Sequence, residues 1–228
     1  GLAGIVFVAL LGWASAPGLT PCPGGGGGRP PEAYRILYLH VPFAWCSFLS
    51  FSILFYGSLM WYLKRSEDAW VYFQSGSDLG VIFGLGVITS GPIWASAEWG
   101  RPWDWGDMRL NSFALLTAVA LFLVYSRQSQ PDTQQNRDTL SAVGLFGFAL
   151  VPITAGATTW WDTTHPEVLI VESGETLGMS PEVRSFLLIS FGLMCILFTG
   201  LLILSNKRYR LAAEVSSRKN ELDQEAIS

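Results

Sequence analysis

The chain has 228 residues, of which 50% are hydrophobic and only 14% charged, with 14 Lys and Arg against 18 Asp and Glu. Soluble domains carry about a quarter charged residues, so this deficit points to a membrane protein. A net charge of −4 and the lack of a basic stripe argue against a nucleic-acid partner.

A helix needs about 20 mostly apolar residues to cross a hydrocarbon core. Taken in chain order, the candidate spans are 1–16, 40–63, 71–97, 111–126, 140–158 and 185–205. The predicted fold is therefore all-α, a polytopic membrane helix bundle with about six transmembrane helices. The first span starts at Gly1 with neither an initiator methionine nor a basic lead-in, and is read as a helix whose beginning is missing. A Gly/Pro-rich loop at 17–35 follows, containing PCPGGGGGRPPE, a composition that cannot form a packed element. The membrane domain is placed at 1–210, with a Trp-rich loop at 94–110 and a further loop at 159–184. Residues 211–228 form a mixed-charge tail whose basic start suits anionic lipid headgroups.

Orientation follows from where Lys and Arg fall. Lys64, Arg65, Arg127, Arg137, Lys207, Arg208, Arg210, Arg218 and Lys219 lie in one set of loops. Arg29, Arg35, Arg101, Arg109 and Arg184 lie in the other. The richer set is expected to be cytoplasmic, so both termini face the cytoplasm of a cell (inner) membrane. His40 and His165, the only two histidines, then share the outer face with the Trp-rich loop.

Cys22, Cys46 and Cys195 are unpaired by spacing, and two of them lie inside apolar runs, where they read as small buried hydrophobes. No C-x-x-C-H occurs, so the chain does not attach haem to itself covalently in the c-type manner.

Three stretches of the outer face carry chemistry. In YLHVPFAW, His40 precedes Val41-Pro42 at the mouth of the second span. A neutral imidazole there suits iron, copper or zinc, or simply bonds a loop carbonyl. In WASAEWGRPWDWGDMR, residues 94–109, four indoles crowd a segment in which Gly100, Pro102 and Gly106 prevent a regular helix. This is a shelf for a flat apolar ring, with Arg101 or Arg109 placed to meet its carboxylates. In TTWWDTTHPE, Trp160 and Trp161 precede His165, a pattern that an interfacial aromatic belt would also produce. Haem, with two axial histidines, fits these stretches; a quinone or a lipid headgroup would also stack there.

The succession LHVPFAW, WGRPWDWGDMRL and WWDTTH resembles the haem-handling proteins of cytochrome c maturation, in particular the haem exporter protein C family. The resemblance covers roughly residues 34–205. It implies b-type haem, bound transiently and without a covalent link on the outer face, with His40 and His165 as axial iron ligands. The WWD segment that holds the macrocycle would comprise Trp99, Gly100, Trp103, Trp105, Asp107 and Arg109, with Trp160 and Trp161 beside His165. Where the family reads W-D-x-R-L, this chain has one residue more, from Trp105 to Leu110, and Asp107 is favoured over Asp104 as the family aspartate because its spacing to Arg109-Leu110 is kept. The implied partners are a membrane-anchored haem chaperone (cytochrome c maturation protein E), an ABC-type pair (proteins A and B) and a small protein D.

The expected function is haem binding and delivery to that chaperone. Three alternatives compete. One is a haem-translocating channel, for which Asp78 is the one obvious ionisable residue within a span. Another is a haem lyase, although no nucleophile–base pair stands out and no catalytic residue is assigned. The third is a quinone-binding redox subunit.

Overall fold

The computed structural model describes Ala14 and residues 35–160 and 181–226. All the described elements are helices: α1 (Leu37–Lys64), α2 (Glu67–Trp99), α3 (Met108–Ser129), α4 (Gln134–Phe148), α5 (Leu150–Trp160) and α6 (Pro181–Glu225). Five stretches are long and apolar enough to cross a membrane, with α4 and α5 together making one of them. The fold is thus the expected all-α membrane bundle. The expected first span at 1–16, apart from Ala14, and most of the Gly/Pro-rich loop lie outside the described residues.

Local chemistry sets the ends of these helices. Arg65 closes α1 in the left-handed region at φ 52°, its N–H donating to Trp61 O at 2.9 Å. Ser66 then caps α2 by accepting from Ala69 N, and Glu67 and Asp68 complement the dipole of its first turn. Gln130 is extended at ψ 152°, the conformation that the following Pro131 favours, and so α3 stops there. Thr133 caps α4 through Asn136 N.

The expected single span at 140–158 is two helices, interrupted at Ala149. Pro152 explains the break: it has no N–H for the carbonyl of Phe148, and its ring collides with that carbonyl in a continuous helix. The last span is longer than its apolar core, since α6 runs on from the 185–205 stretch to Glu225.

Helices α1 and α2 form the central pair. A Cβ at Gly57 would stand 2.3 Å from Phe73 N, and one at Gly76 would stand 2.4 Å from Leu54 N. The two backbones therefore touch where side chains would normally separate them, as small residues permit within a bilayer. Phe51, Leu54, Phe73, Leu116 and Leu123, all fully buried, fill the centre between α1, α2 and α3. Helix α6 joins through Met194 and Phe198, which pack on Cys46, Leu79 and Phe83. Its Leu188, Ile196 and Leu204 face outward, a surface suited to lipid.

The Lys64 end of the bundle is tied by charge. Asp138 accepts from Trp61 Nε1 at 2.8 Å and pairs with Arg65. Arg137 bridges Asp132 and Glu67 while stacking over the rings of Trp61 and Trp70. Asp78, the ionisable residue noted within a span, is bonded to Arg127 at 2.5 Å and to the Tyr209 hydroxyl at 2.5 Å, joining α2, α3 and α6. At 1.5 Å per residue, Trp61 lies about 30 Å along α1 from His40, roughly the thickness of a hydrocarbon core. This ionic layer and His40 are therefore at opposite ends of the bundle.

Candidate functional site

His40 is the fourth residue of α1, so it lies one turn inside the helix rather than at its first residue. Its side chain is only 7% exposed. The ring faces α2, where its Nδ1 is 2.8 Å from Ser90 Oγ. Gly91 makes this approach possible, since a Cβ there would stand 3.2 Å from His40 Cε1.

Beside His40 a cleft opens between α1, α2, α3 and the loop at 100–107. Helix α1 contributes His40, Ala44 and Phe48, spaced four apart on one face, together with Leu37, Val41 and Trp45. Helix α2 contributes Val87, Ile88, Pro92 and Trp94, the loop contributes Trp103, and α3 contributes Arg109, Leu110 and Phe113. Pro92, inside α2, has no N–H for the carbonyl of Ile88, which therefore lacks its helical donor. The cleft encloses about 740 Å³ counted to its open mouth, little of it wide enough to admit water. It is a narrow slot whose side chains are apolar and aromatic apart from one imidazole and one guanidinium.

The Trp-rich loop is held by its own polar side chains. Gly100, at φ 70°, ends α2 in a conformation that disfavours other residues. Asp104 accepts from Gly106 N at 2.9 Å and pairs with Arg101 at 2.6 Å, forming a local turn. Asp107 is 2% exposed and caps α3, accepting from Arg109 N at 2.9 Å and Leu110 N at 3.1 Å. Asn111 donates to the carbonyls of Trp105 and Asp107 and accepts from Trp103 Nε1 at 3.3 Å. These bonds hold Trp103 at the slot. Arg109, fixed by the cap beneath it, donates from Nη2 to Ala155 O of α5 at 3.2 Å.

The residues singled out in the sequence are distributed as follows. His40, Trp103 and Arg109 line one slot. Trp99 stands edge-on to Trp94, with ring centres 4.9 Å apart, one step from the slot wall. Trp105 is 84% exposed, its ring 5.8 Å from that of Trp103. Asp107 lies beneath the slot as a helix cap, and Gly100 is the hinge that turns the chain into the loop. Trp160 ends α5, lying back across Gly156 and 60% exposed. Trp161 and His165 lie outside the described residues.

Sequence reasoning missed Trp45 and Ser90, and counted Trp94 only among the four indoles of the 94–109 stretch. The first was within reach, because counting helical turns from His40 brings Ala44, Trp45 and Phe48 toward one side of α1. Ser90 carries no such signal; it meets His40 only through the packing of α2 on α1.

Residues 6–224 match the family model described as Heme exporter protein C. A cytochrome c biosynthesis ccmC-like mitochondrial protein of Arabidopsis thaliana is 30% identical over 194 residues, covering 81% of this chain and 72% of its own. A protein of the same description from Marchantia polymorpha is 29% identical over 179 residues, covering 76% and 75%. The Heme exporter protein C of Escherichia coli K12 is 26% identical over 217 residues, covering 92% and 85%. A match across nearly the whole length, on a bundle that brings His40 and the tryptophan loop to one slot, leads to one conclusion: this chain belongs to the Heme exporter protein C family.

Proposed function

We propose that this protein holds haem in the slot beside His40 and passes it on during cytochrome c biogenesis. The observation that carries this reading is a buried imidazole in a narrow, aromatic-lined slot that also contains a guanidinium. Haem has three chemical faces: an iron that takes nitrogen ligands, a flat apolar ring and two carboxylates. His40 suits the first, the indoles of Trp45, Trp94 and Trp103 the second, and Arg109 the third. Bound without a covalent link, as b-type haem, the cargo remains transferable.

His165 is proposed as the second axial ligand, with Trp160 and Trp161 beside it. Trp99, Gly100, Trp105 and Asp107 complete the site, the last by holding Arg109 and Trp103 in place. The slot is assigned to the outer face of the cell membrane, and the arginine-rich Lys64 end to the cytoplasm, in keeping with the excess of Lys and Arg there. The exposed Trp105, its ring 5.8 Å from that of Trp103, is proposed to meet a membrane-anchored haem chaperone, cytochrome c maturation protein E, which would collect the cargo, with the exposed Trp160 assisting. Proteins A, B and D of the same system are the proposed partners in the membrane.

The channel alternative draws less support. Asp78, the carboxylate that suggested a polar path, is engaged by Arg127 and Tyr209 where three helices join.

The test is spectroscopic. The protein and its His40→Ala and His165→Ala variants are purified in detergent and their haem absorption spectra recorded. Loss of bound haem, or a changed ligand spectrum, is expected in each variant. Undiminished haem with an unaltered spectrum in both would remove the axial-ligand reading.

A further inference from the structure

Ser90 Oγ takes part in two short contacts, one buried and one partly buried. It lies 2.6 Å from Gly86 O, one turn back in α2, and 2.8 Å from His40 Nδ1. Ser90 is 5% exposed and His40 7%. A serine hydroxyl has one hydrogen. Two oxygens at 2.6 Å repel unless a hydrogen lies between them, and the carbonyl has none to give. The Ser90 hydrogen therefore points at Gly86 O, and toward His40 the oxygen has only lone pairs to present. It accepts, so Nδ1 of the neutral imidazole carries the ring proton and Nε2 carries the lone pair.

From this we infer that Ser90 is a positioning residue: it selects the Nε2-coordinating tautomer of His40 and fixes the rotation of the ring. The inference rests on the reading of His40 as an iron ligand. Nδ1 of the ring is tied to α2 by Ser90, and Cε1 lies over Gly91, where a Cβ would stand 3.2 Å away. A half-turn of the ring would break the first contact. Histidine ligands generally donate their other N–H to an acceptor, and that partner sets how strongly they bind. A neutral hydroxyl is a weaker acceptor than a carboxylate, so it orients the ring without pushing it toward imidazolate. The resulting ligand would offer Nε2 to the iron and be only moderately basic, which suits a protein that must release its cargo.

The ligand-free protein tests the tautomer directly. Histidine labelled with 15N reports only His40 and His165, and His165→Ala assigns the spectrum. In nanodiscs, at a pH where the ring is neutral, the coupling of each ring nitrogen to the ring protons distinguishes Nδ1 from Nε2. Protonated Nδ1 is expected at His40. Ser90→Ala should turn it into a mixture of tautomers, and Ser90→Thr, which keeps the hydroxyl, should restore it. Ser90→Ala should also lower haem affinity by about tenfold to a hundredfold, with Ser90→Thr close to the parent. A protonated Nε2 in the parent protein would overturn the tautomer assignment. An unchanged haem affinity in Ser90→Ala, alongside the altered tautomer, would overturn the positioning role. Undiminished haem in His40→Ala would instead defeat the ligand reading beneath it, and the NMR result would show that separately.

Discussion

The hydroxyl of Tyr209 in α6 donates to the carboxylate of Asp78 in α2 at 2.5 Å, across 131 residues of chain. Arg127 of α3 closes the group, its guanidinium 2.5 Å from the same carboxylate and stacked over the Tyr209 ring. Apart from apolar contacts and the exposed Arg210–Asp68 pair at 2.9 Å, this group is what anchors α6 at the end opposite the slot.

Removing the carboxylate leaves a largely buried guanidinium without its counter-charge. Asp78→Ala is expected to lower stability by about 3 kcal/mol, and Tyr209→Phe, which removes one hydrogen bond, by about 1–2 kcal/mol. Thermal unfolding in detergent measures both. Equal losses would show that the tyrosine, not the ion pair, dominates the anchor.

The backbone contact between α1 and α2 makes a second prediction. Gly76→Ala would force a Cβ to 2.4 Å from Leu54 N, where no flexible side chain can give way. A loss of about 1–3 kcal/mol is expected from overpacking, and poor recovery of folded protein would accompany it. Gly192→Ala is the contrast: nothing lies within 4 Å of a Cβ at Gly192, and helix propensity favours alanine by about 1 kcal/mol. Parallel melting curves of the two variants decide.

Asp107 and Trp105 are separated by two positions and by opposite environments. Asp107→Ala removes the cap of α3 and is expected to cost about 0.5–2 kcal/mol, with haem occupancy falling because Arg109 and Trp103 lose their support. Asp107→Ser should recover most of both. Trp105→Ala, at an 84% exposed position, should leave stability within about 0.5 kcal/mol. Its effect should appear in transfer to the chaperone, measured by mixing haem-loaded protein with the apo-chaperone.

Arg109 can be tested with a chemical change in the cargo rather than in the fold. Arg109→Gln should weaken haem binding by roughly tenfold to a hundredfold, the worth of a charge-assisted hydrogen bond. The dimethyl ester of haem, whose carboxylates are masked, should bind parent and variant alike. Equal weakening for both ligands in a titration would show that Arg109 acts on the loop and not on a carboxylate.

The helical bundle could be read from the sequence because a bilayer imposes one rule on every spanning segment: about twenty apolar residues in a row, all backbone groups bonded within the helix. That rule is local, so the spans of α1, α2, α3 and α6 could be located along the chain, with boundaries off by a few residues. The alternation of helix direction follows too, and so His40 and the tryptophan loop could be expected at one end. The break at Ala149 was also local in origin, since Pro152 was there to be seen, but hydropathy is blind to a missing N–H. The length of α6 was not legible for a related reason: a polar helix that continues into water has no apolar signal to mark it.

What meets what was decided only by packing. Nothing in the order of residues relates His40 to Ser90, fifty positions later, or separates the buried Asp107 from the exposed Trp105. Those relations depend on the rotation of each helix about its axis, which the bare glycines at 57 and 76 set by letting two backbones touch. Hydrophobicity along the chain determined that there would be spans and where their ends would gather. The close fit of α1 against α2 determined that the imidazole of His40 meets Ser90.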